Sequence, residues 1–262
     1  MSDITSRSWW RCQWQLFCLA LSFFSRLPIP QSTPYSTERM NRAGRYFALV
    51  GMVIGGLCAL SYSVVSMVLP VPVAVVVTMG FSLLLTGAFH EDGLADMADG
   101  IGGGMTVEKR LLIMKDSRLG TYGVSTLVMA LLLKFVALVE LANHSHFVAA
   151  IILAYVFSRG VAASLISTMP YVSDPEGSKS KPLANQQTPK ELIFLAVCAL
   201  IPALYWGGQI TVTLVIWAVL FRIGFKRWLM ARLGGFTGDC LGAAQQLMEL
   251  SVYLILIAYI AS

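Results

Sequence analysis

The chain has 262 residues, of which 56% are hydrophobic and only 13% charged, with a net charge of +5 and a mean hydropathy of +0.71. Soluble domains carry roughly 25% charged residues, so this chain lacks the polar surface that a water-soluble fold requires, and lipid is the expected solvent. The positive balance calls for no nucleic-acid partner, because membrane proteins collect Lys and Arg in their cytoplasmic loops.

In chain order, a start marked by Arg7 and Arg11 runs into a short apolar stretch, Trp14–Phe24, with Gln13 and Gln15 at its head. Arg26, Pro28 and Pro30 close it without a small-residue cleavage site, so the segment reads as retained. A run of this length is interfacial or re-entrant more readily than spanning. Seven longer apolar runs follow, near Arg45–Leu69, Val71–Phe89, Thr121–Leu141, Phe147–Met169, Glu191–Trp206, Ile210–Met230 and Leu241–Ala261. Runs of about 20 apolar residues read as membrane-spanning helices. The fifth is short and carries Pro202. The expected fold class is all-α: a polytopic integral membrane helix bundle of about seven spanning helices plus a short N-terminal interfacial or re-entrant helix. Residues 1–262 form one membrane-embedded catalytic domain in this reading, with active-site loops near 91–120 and 231–241.

The connections alternate in charge. Arg26, Arg39, Arg42 and Arg45 precede the first strong run, and Pro70-Val71-Pro72 after it is uncharged. The next loop holds Lys109, Arg110, Lys115 and Arg118, whereas Ala142–His146 has neither Lys nor Arg. Lys179, Lys181 and Lys190 come next, then the uncharged Gly207-Gly208-Gln209, then Arg222, Lys226, Arg227 and Arg232. Every second connection is basic, which assigns the basic ones to the cytoplasm. The five cysteines form no CxxC pair and read as small packed hydrophobes.

The chemistry concentrates in one connection. Six of the 14 acidic residues lie between Glu91 and Asp116, within the run His90-Glu91-Asp92-Gly93-Leu94-Ala95-Asp96-Met97-Ala98-Asp99-Gly100 and just beyond it. If the helix that starts at Val71 continues through this stretch, Asp92, Asp96 and Asp99 fall at i, i+4 and i+7 on one face. Three close carboxylates repel unless a cation sits between them, and an oxygen-only ligand set selects a hard divalent ion such as Mg²⁺. The bland alternative is a solvated acidic loop. Gly100–Gly104 is loose enough for backbone N–H groups to approach a phosphate, or is simply a flexible turn. Lys115-Asp116-Ser117-Arg118 places cations and a hydroxyl just before a helix N-terminus, a natural anion site. Lys134 and Arg159 lie within spanning runs, where a charge faces a polar interior or binds something. Glu140 is six residues from Lys134 and on another face. Asp239 opens the last helix as a cap or as a metal ligand.

These residues resemble the cobalamin synthase family, whose members are adenosylcobinamide-GDP ribazoletransferases. The resemblance rests on Phe89–Gly100 (FHEDGLADMADG), Ile113–Gly123 (IMKDSRLGTYG), Ser158-Arg159-Gly160, Gly234–Ala243 (GGFTGDCLGA) and Ser25–Pro30 (SRLPIP). It implies transfer of adenosylcobinamide phosphate from its GDP ester to the ribosyl hydroxyl of α-ribazole or α-ribazole 5′-phosphate, with loss of GMP and a need for Mg²⁺. It further implies a multi-pass protein of a bacterial or archaeal cytoplasmic membrane with its site facing the cytoplasm. On that footing Asp92, Asp96 and Asp99 hold the metal, with Glu91, Asp116 or Asp239 completing the shell. Lys115, Ser117, Arg118, Arg159 and Thr237 bind substrate, and one of the three aspartates or His90 accepts the hydroxyl proton. A homo-oligomer is compatible with the sequence. Two other readings stay open. The DxxDG spacing of Asp96–Gly100 suits a CDP-alcohol phosphotransferase, and the DxxxD spacing of Asp92–Asp96 suits a membrane prenyltransferase. A transporter fits less well, because the chain has no internal repeat and its acids sit at one membrane face.

Overall fold

The computed structural model describes residues 9–173 and 187–261. Arg7, at the basic start, and Lys179 and Lys181, of the alternating charge pattern, lie outside the described residues. The described residues are all-α, apart from an isolated parallel bridge between Tyr171 and Phe236. The helices are α1 (Trp9–Phe24), α2 (Thr37–Ala43), α3 (Phe47–Val65), α4 (Val71–Thr86), α5 (Phe89–Gly103), α6 (Val107–Met114), α7 (Thr121–Asn143), α8 (Phe147–Leu165), α9 (Pro189–Leu204), α10 (Gly208–Leu233) and α11 (Gly238–Ile260).

Seven of these, α3, α4 and α7–α11, run between two ends of different chemistry. At one end, polar contacts tie the basic connections together. Arg45 pairs with Glu191 at the start of α9, Arg110 donates to the carbonyl of Arg232 at 2.7 Å, and Arg222 donates to the carbonyl of Ser164 at 3.1 Å. The amide of Phe236 donates to the carbonyl of Pro170 at 3.0 Å. The other end is held by rings instead: Tyr62 stacks on Phe147 with centroids 3.7 Å apart, and His146 meets Trp206 at 5.1 Å.

Among the described residues five helices are long and apolar enough to cross a membrane, and the bent pair α4–α5 brings the number to six. The seven expected spans therefore reduce by length to five or six. α4 and α9 have 16 residues each, roughly 24 Å at 1.5 Å per residue, short of a hydrocarbon core of about 30 Å. Pro202 lies inside α9, as the sequence reading noted. α8 is the central helix: 83% of its apolar window is buried, against 22% for α7 and 17% for α10. α7 and α10 turn Met129, Leu132, Val136, Val212, Ile216 and Leu220 outward, an apolar surface suited to lipid.

α1 is the short N-terminal helix. Near its start Gln13 accepts from the hydroxyl of Tyr46 at 2.6 Å and Gln15 accepts from Arg39 at 2.7 Å. At its end Phe24 packs on Phe47 and His90. Tyr46, Arg39, Phe47 and His90 all belong to the basic end, so α1 lies along that end and does not cross to the other. Its exposed Trp9, Trp10 and Trp14 are the residues an interfacial helix presents to headgroups.

The helix from Val71 does not continue through the acidic run. It stops at Thr86, where Gly87 (φ 67°) and Ala88 (φ 55°) both adopt left-handed backbone, and α5 leaves at 86° to α4. Ala88 carries a conformation that costs an L-residue with a Cβ about 1–2 kcal/mol, and the break is what swings α5 across the basic end. The two expected loops are also mostly helical. Within 91–120 the chain forms α5 and α6, and within 231–241 only Gly234–Thr237 lies between α10 and α11.

Candidate active site

The site forms where α5 crosses the N-terminus of α11. The crossing is close: a Cβ on Gly93 would stand 2.9 Å from the carbonyl oxygen of Asp239, and one on Gly242 would stand 3.2 Å from that of His90. The contact sets Asp92 and Asp96 of α5 beside Asp239. Asp92 is exposed, and Asp96 and Asp239 are half-buried. Burial pushes the Asp96 carboxyl up to about 7, and the negative charges of Asp92, Asp239 and Asp99 add to the effect.

The turn before α11 gives the capping role to another residue. Thr237 is the cap: its hydroxyl accepts from the amide of Cys240 at 3.3 Å. Asp239 is therefore released from capping, and accepts from the Thr237 hydroxyl at 3.2 Å. Thr237, expected to bind substrate, is 2% exposed and occupied with this turn.

Asp99 keeps the helical register with Asp92 and Asp96 but has other partners. Its oxygens accept from the amides of Gly120 at 2.7 Å and Gly123 at 2.8 Å. Gly120 is the N-cap of α7 and has no side-chain cap of its own, so a carboxylate from a neighbouring helix satisfies the first turn. A side chain at Gly123 would collide with that carboxylate.

Other expected site residues are placed apart from the acid crossing. Glu91 turns into the bundle, where it accepts from Gln246 at 3.1 Å. Its second oxygen has no hydrogen-bond partner among the described residues. Asp116 pairs with Arg118 at 2.6 Å. That hydrogen-bonded contact lowers the Asp116 carboxyl to about 2. Lys115, Ser117 and Arg118 are exposed on the connection from α6 to α7. Gly100–Gly104 is not an open phosphate loop, because α5 extends through Gly103 and these glycines make room for the side chains of Met114, Tyr122 and Arg110. Among the described residues no three His, Cys, Asp or Glu side chains are gathered tightly enough to hold a metal ion, so the three-aspartate cradle read from the register is not preformed. All five cysteines are free and buried.

His90 and Arg159 belong to a crevice on the other side of the same crossing. It is narrow, with a cavity volume of about 30 Å³. His90 is 3% exposed and stacks on Phe24 at 5.5 Å with the rings 13° apart. Burial drives its imidazole well below the usual histidine range, with Arg159 and Lys134 adding to the effect, which keeps the ring neutral. Arg159 is 3% exposed, donates to the Tyr155 carbonyl at 3.0 Å, and has no hydrogen-bond partner for its Nε–H among the described residues.

A buried polar chain runs inward from α5, and the sequence reading missed most of it. Glu91 meets Gln246, which donates to Gln245 at 2.8 Å. Gln245 donates to Ser158 at 2.9 Å and to Glu249 at 2.6 Å. Glu249 pairs with Lys134 at 2.5 Å and accepts from Tyr253 at 3.1 Å. Lys134 thus has a partner on α11, 115 positions along the chain. Gln245, Gln246 and Glu249 on one face of an apolar helix were the available signal.

The sequence profile of the family described as Cobalamin-5-phosphate synthase matches residues 16–257. The chain belongs to the cobalamin-5-phosphate synthase family. Similar relatives named adenosylcobinamide-GDP ribazoletransferase come from Vibrio vulnificus (63% identical, covering 96% of this chain and 98% of the relative) and from Vibrio parahaemolyticus (62%, covering 95% and 94%). One from Shewanella woodyi is 47% identical and covers 95% and 98%. No solved structure matches. As a cobalamin-5-phosphate synthase family member the chain is an enzyme, a transferase of phosphate-containing groups. The family membership removes the transporter reading.

The carboxyl at about 7 makes a testable link to stability. In the unfolded chain Asp96 ionises near 3.8, whereas in the fold it does so near 7. Between these values the folded protein holds a proton that the unfolded chain has lost, so stability falls as pH rises through that window and then levels off. With chelator present, the unfolding free energy is expected to fall by on the order of 1–2 kcal/mol between pH 5 and pH 7.5 after discounting for solvent screening, read as a lower Tm. Asp96→Asn is expected to flatten that slope, and a slope of the same size in the variant would assign it to another group.

Proposed function

We propose that this enzyme joins adenosylcobinamide-GDP to the ribosyl hydroxyl of α-ribazole, or of its 5′-phosphate, at the basic end of the bundle. The end faces the cytoplasm of a bacterial inner membrane, as the positive charge of its connections supports. The observation that carries the reading is the convergence of Asp92, Asp96 and Asp239 on the α5–α11 crossing, beside the N-terminus of α11.

An all-oxygen set with excess negative charge suits Mg²⁺. That ion keeps several waters and is usually held by one or two carboxylates together with substrate phosphates, so a preformed three-ligand cage is not required. Asp92, Asp96 and Asp239 would hold it, and the charge it would supply there would neutralise the diphosphate. The chain's own residues supply the rest. The acceptor hydroxyl gives its proton to a carboxylate of the crossing and attacks the corrinoid-side phosphorus; a new P–O bond forms, and the bond to the bridging oxygen breaks so that GMP departs. Lys115 and Arg118 lie on the exposed connection ahead of α7 and would bring positive charge to phosphate oxygens there. Asp99 orders the start of α7 behind them and is a positioning residue.

The test is product formation by purified protein in lipid nanodiscs, followed by mass spectrometry. Adenosylcobinamide-GDP plus α-ribazole is expected to give cobalamin and GMP, to stop on chelation and to resume with Mg²⁺. Turnover that ignores chelator, or conversion of a CDP-lipid or a prenyl diphosphate in place of the corrinoid, would sink the proposal.

A further inference from the structure

We infer that the groove between α8, α9 and α10 holds one acidic phospholipid, with its phosphate on Arg222 and an acyl chain lying toward the middle of the membrane. Neither the reaction nor the metal proposed above enters into this site.

The groove has a cavity volume of about 170 Å³. Phe157 and Gly160 of α8, Leu195 and Ala199 of α9, and Ala218 and Val219 of α10 line it. Its floor is sealed, because α8 and α9 approach closely there: a Cβ on Gly160 would stand 2.6 Å from that of Ala199. Its rim is open, since Ala196, Val215 and Val219 are exposed. The space therefore opens outward to lipid and not inward to the carboxylates on α5.

The chemistry along the groove follows the order of a lipid molecule. Arg222 lies at the basic end beside Ser164, and every other lining residue is apolar. From Ser164 to Phe157 is seven residues of α8, roughly 10 Å at 1.5 Å per residue. The hydrocarbon of one leaflet is about 15 Å deep, so the groove accompanies an acyl chain over much of its length. On α10, Val215, Val219, Arg222 and Lys226 fall at i, i+4, i+7 and i+11 on one face. That face is apolar toward the membrane centre and cationic toward the basic end.

Arg222 supplies the recognition. It is half-buried, and its Nη2 donates to the carbonyl of Ser164 at 3.1 Å. Its Nε–H is buried and has no hydrogen-bond partner among the described residues. Neither Arg222 nor Lys226 has a carboxylate partner among those residues. A guanidinium at the membrane edge without a counter-ion favours an anion, and a phosphate accepts from two of its N–H groups at once. A zwitterionic headgroup brings its own ammonium toward Lys226, so a headgroup of net negative charge fits better. Inorganic phosphate would leave the apolar length unfilled. A helix from another molecule, about 10–12 Å across with its side chains, is too thick to enter. α10 has reason to hold a lipid, because only 17% of its apolar window is buried against the rest of the bundle.

The experiment is native mass spectrometry of the full-length protein in detergent, titrated with phosphatidylglycerol or with phosphatidylcholine of the same chains. One phosphatidylglycerol is expected to bind at least about fivefold more tightly than phosphatidylcholine, the worth of one basic residue near an acidic headgroup. Arg222→Gln, which keeps a donor for the Ser164 carbonyl, is expected to remove that preference. Ala196→Phe, at an exposed position on the rim, is expected to weaken binding of phosphatidylglycerol by about tenfold by filling the groove. If Arg222→Gln fails to fold, Lys226→Gln carries the charge test. Equal affinity for the two lipids overturns the assignment, as does unchanged binding in the folded variants. Loss with Ala196→Phe alone would leave a contact indifferent to charge and also overturns it. So does displacement of the lipid by millimolar inorganic phosphate, or a protein dimer that forms in place of the lipid adduct.

Discussion

Asp96→Asn is expected to lower kcat/KM for adenosylcobinamide-GDP by roughly a hundredfold or more, the usual cost of removing one charge-stabilising group from a phosphoryl-transfer site. Asn conserves the shape of the side chain and removes only the charge. Asp96 is the member of the crossing that feels Asp92, Asp239 and Asp99 together, so it is where a cation gains most. The variant is expected to remain folded, and in chelator at neutral pH to be at least as stable as the parent, because it deletes a repelled carboxylate. Asp116→Asn is the contrast. Its carboxylate is engaged by exposed Arg118 and not by the crossing, and a loss of less than about threefold is expected, as for most surface ion pairs. Steady-state kinetics at saturating Mg²⁺, with Tm recorded for each protein, separates the two. Near-parental turnover for Asp96→Asn would remove the crossing from the mechanism.

Glu249→Leu is expected to destabilise the protein by about 3–5 kcal/mol, the range found when one member of a buried ion pair is removed. The pair is sealed: the Lys134 side chain is 5% exposed and that of Glu249 is 1% exposed. Without Glu249 the ammonium loses its counter-ion inside the bundle, although the Tyr155 ring 5.2 Å from it offers partial compensation. Gln245 and Tyr253 lose an acceptor as well. Lys134→Met combined with Glu249→Leu is expected to recover much of the loss, because an apolar pair of similar volume carries no desolvation cost. Thermal unfolding in one detergent gives the double-mutant cycle. A double variant as unstable as the single one would show that the uncompensated charge is not the cause. Residual activity is informative too, since the chain from Glu249 through Gln245 and Gln246 ends on Glu91 of α5.

The acidic run was legible because chemistry and spacing coincide there. Asp92, Asp96 and Asp99 do occupy one helical face, yet they divide by depth, from exposed Asp92 to Asp99 at 7% exposure. What register alone could not show is the neighbour that meets each position. α11 brings Asp239 to Asp92 and Asp96, while the start of α7 takes Asp99 as its cap. The break at Gly87-Ala88 was equally hidden. A lone glycine followed by alanine is a weak stop signal, and only the contacts made by α5 explain an alanine held in left-handed backbone. Arg159 and Lys134 were recognisable as costly intramembrane charges, but Lys134's partner, Glu249, lies on a distant helix, whereas Arg159 turns back on Tyr155 of its own helix.

The sequence by itself determined the solvent, the all-α class, the alternation of basic and uncharged connections, and the stretch in which the carboxylates gather. Those are properties of composition and local period, and they follow from burial and helix geometry without knowledge of any neighbour. Tertiary structure alone decided that α5 turns aside at 86°, that Asp239 joins the acid crossing while Asp99 caps α7, that Lys134 pairs with Glu249, and that His90 and Arg159 share an aromatic crevice. Each of these depends on helices packed at close range from distant parts of the chain, and a one-dimensional pattern carries no record of which faces meet.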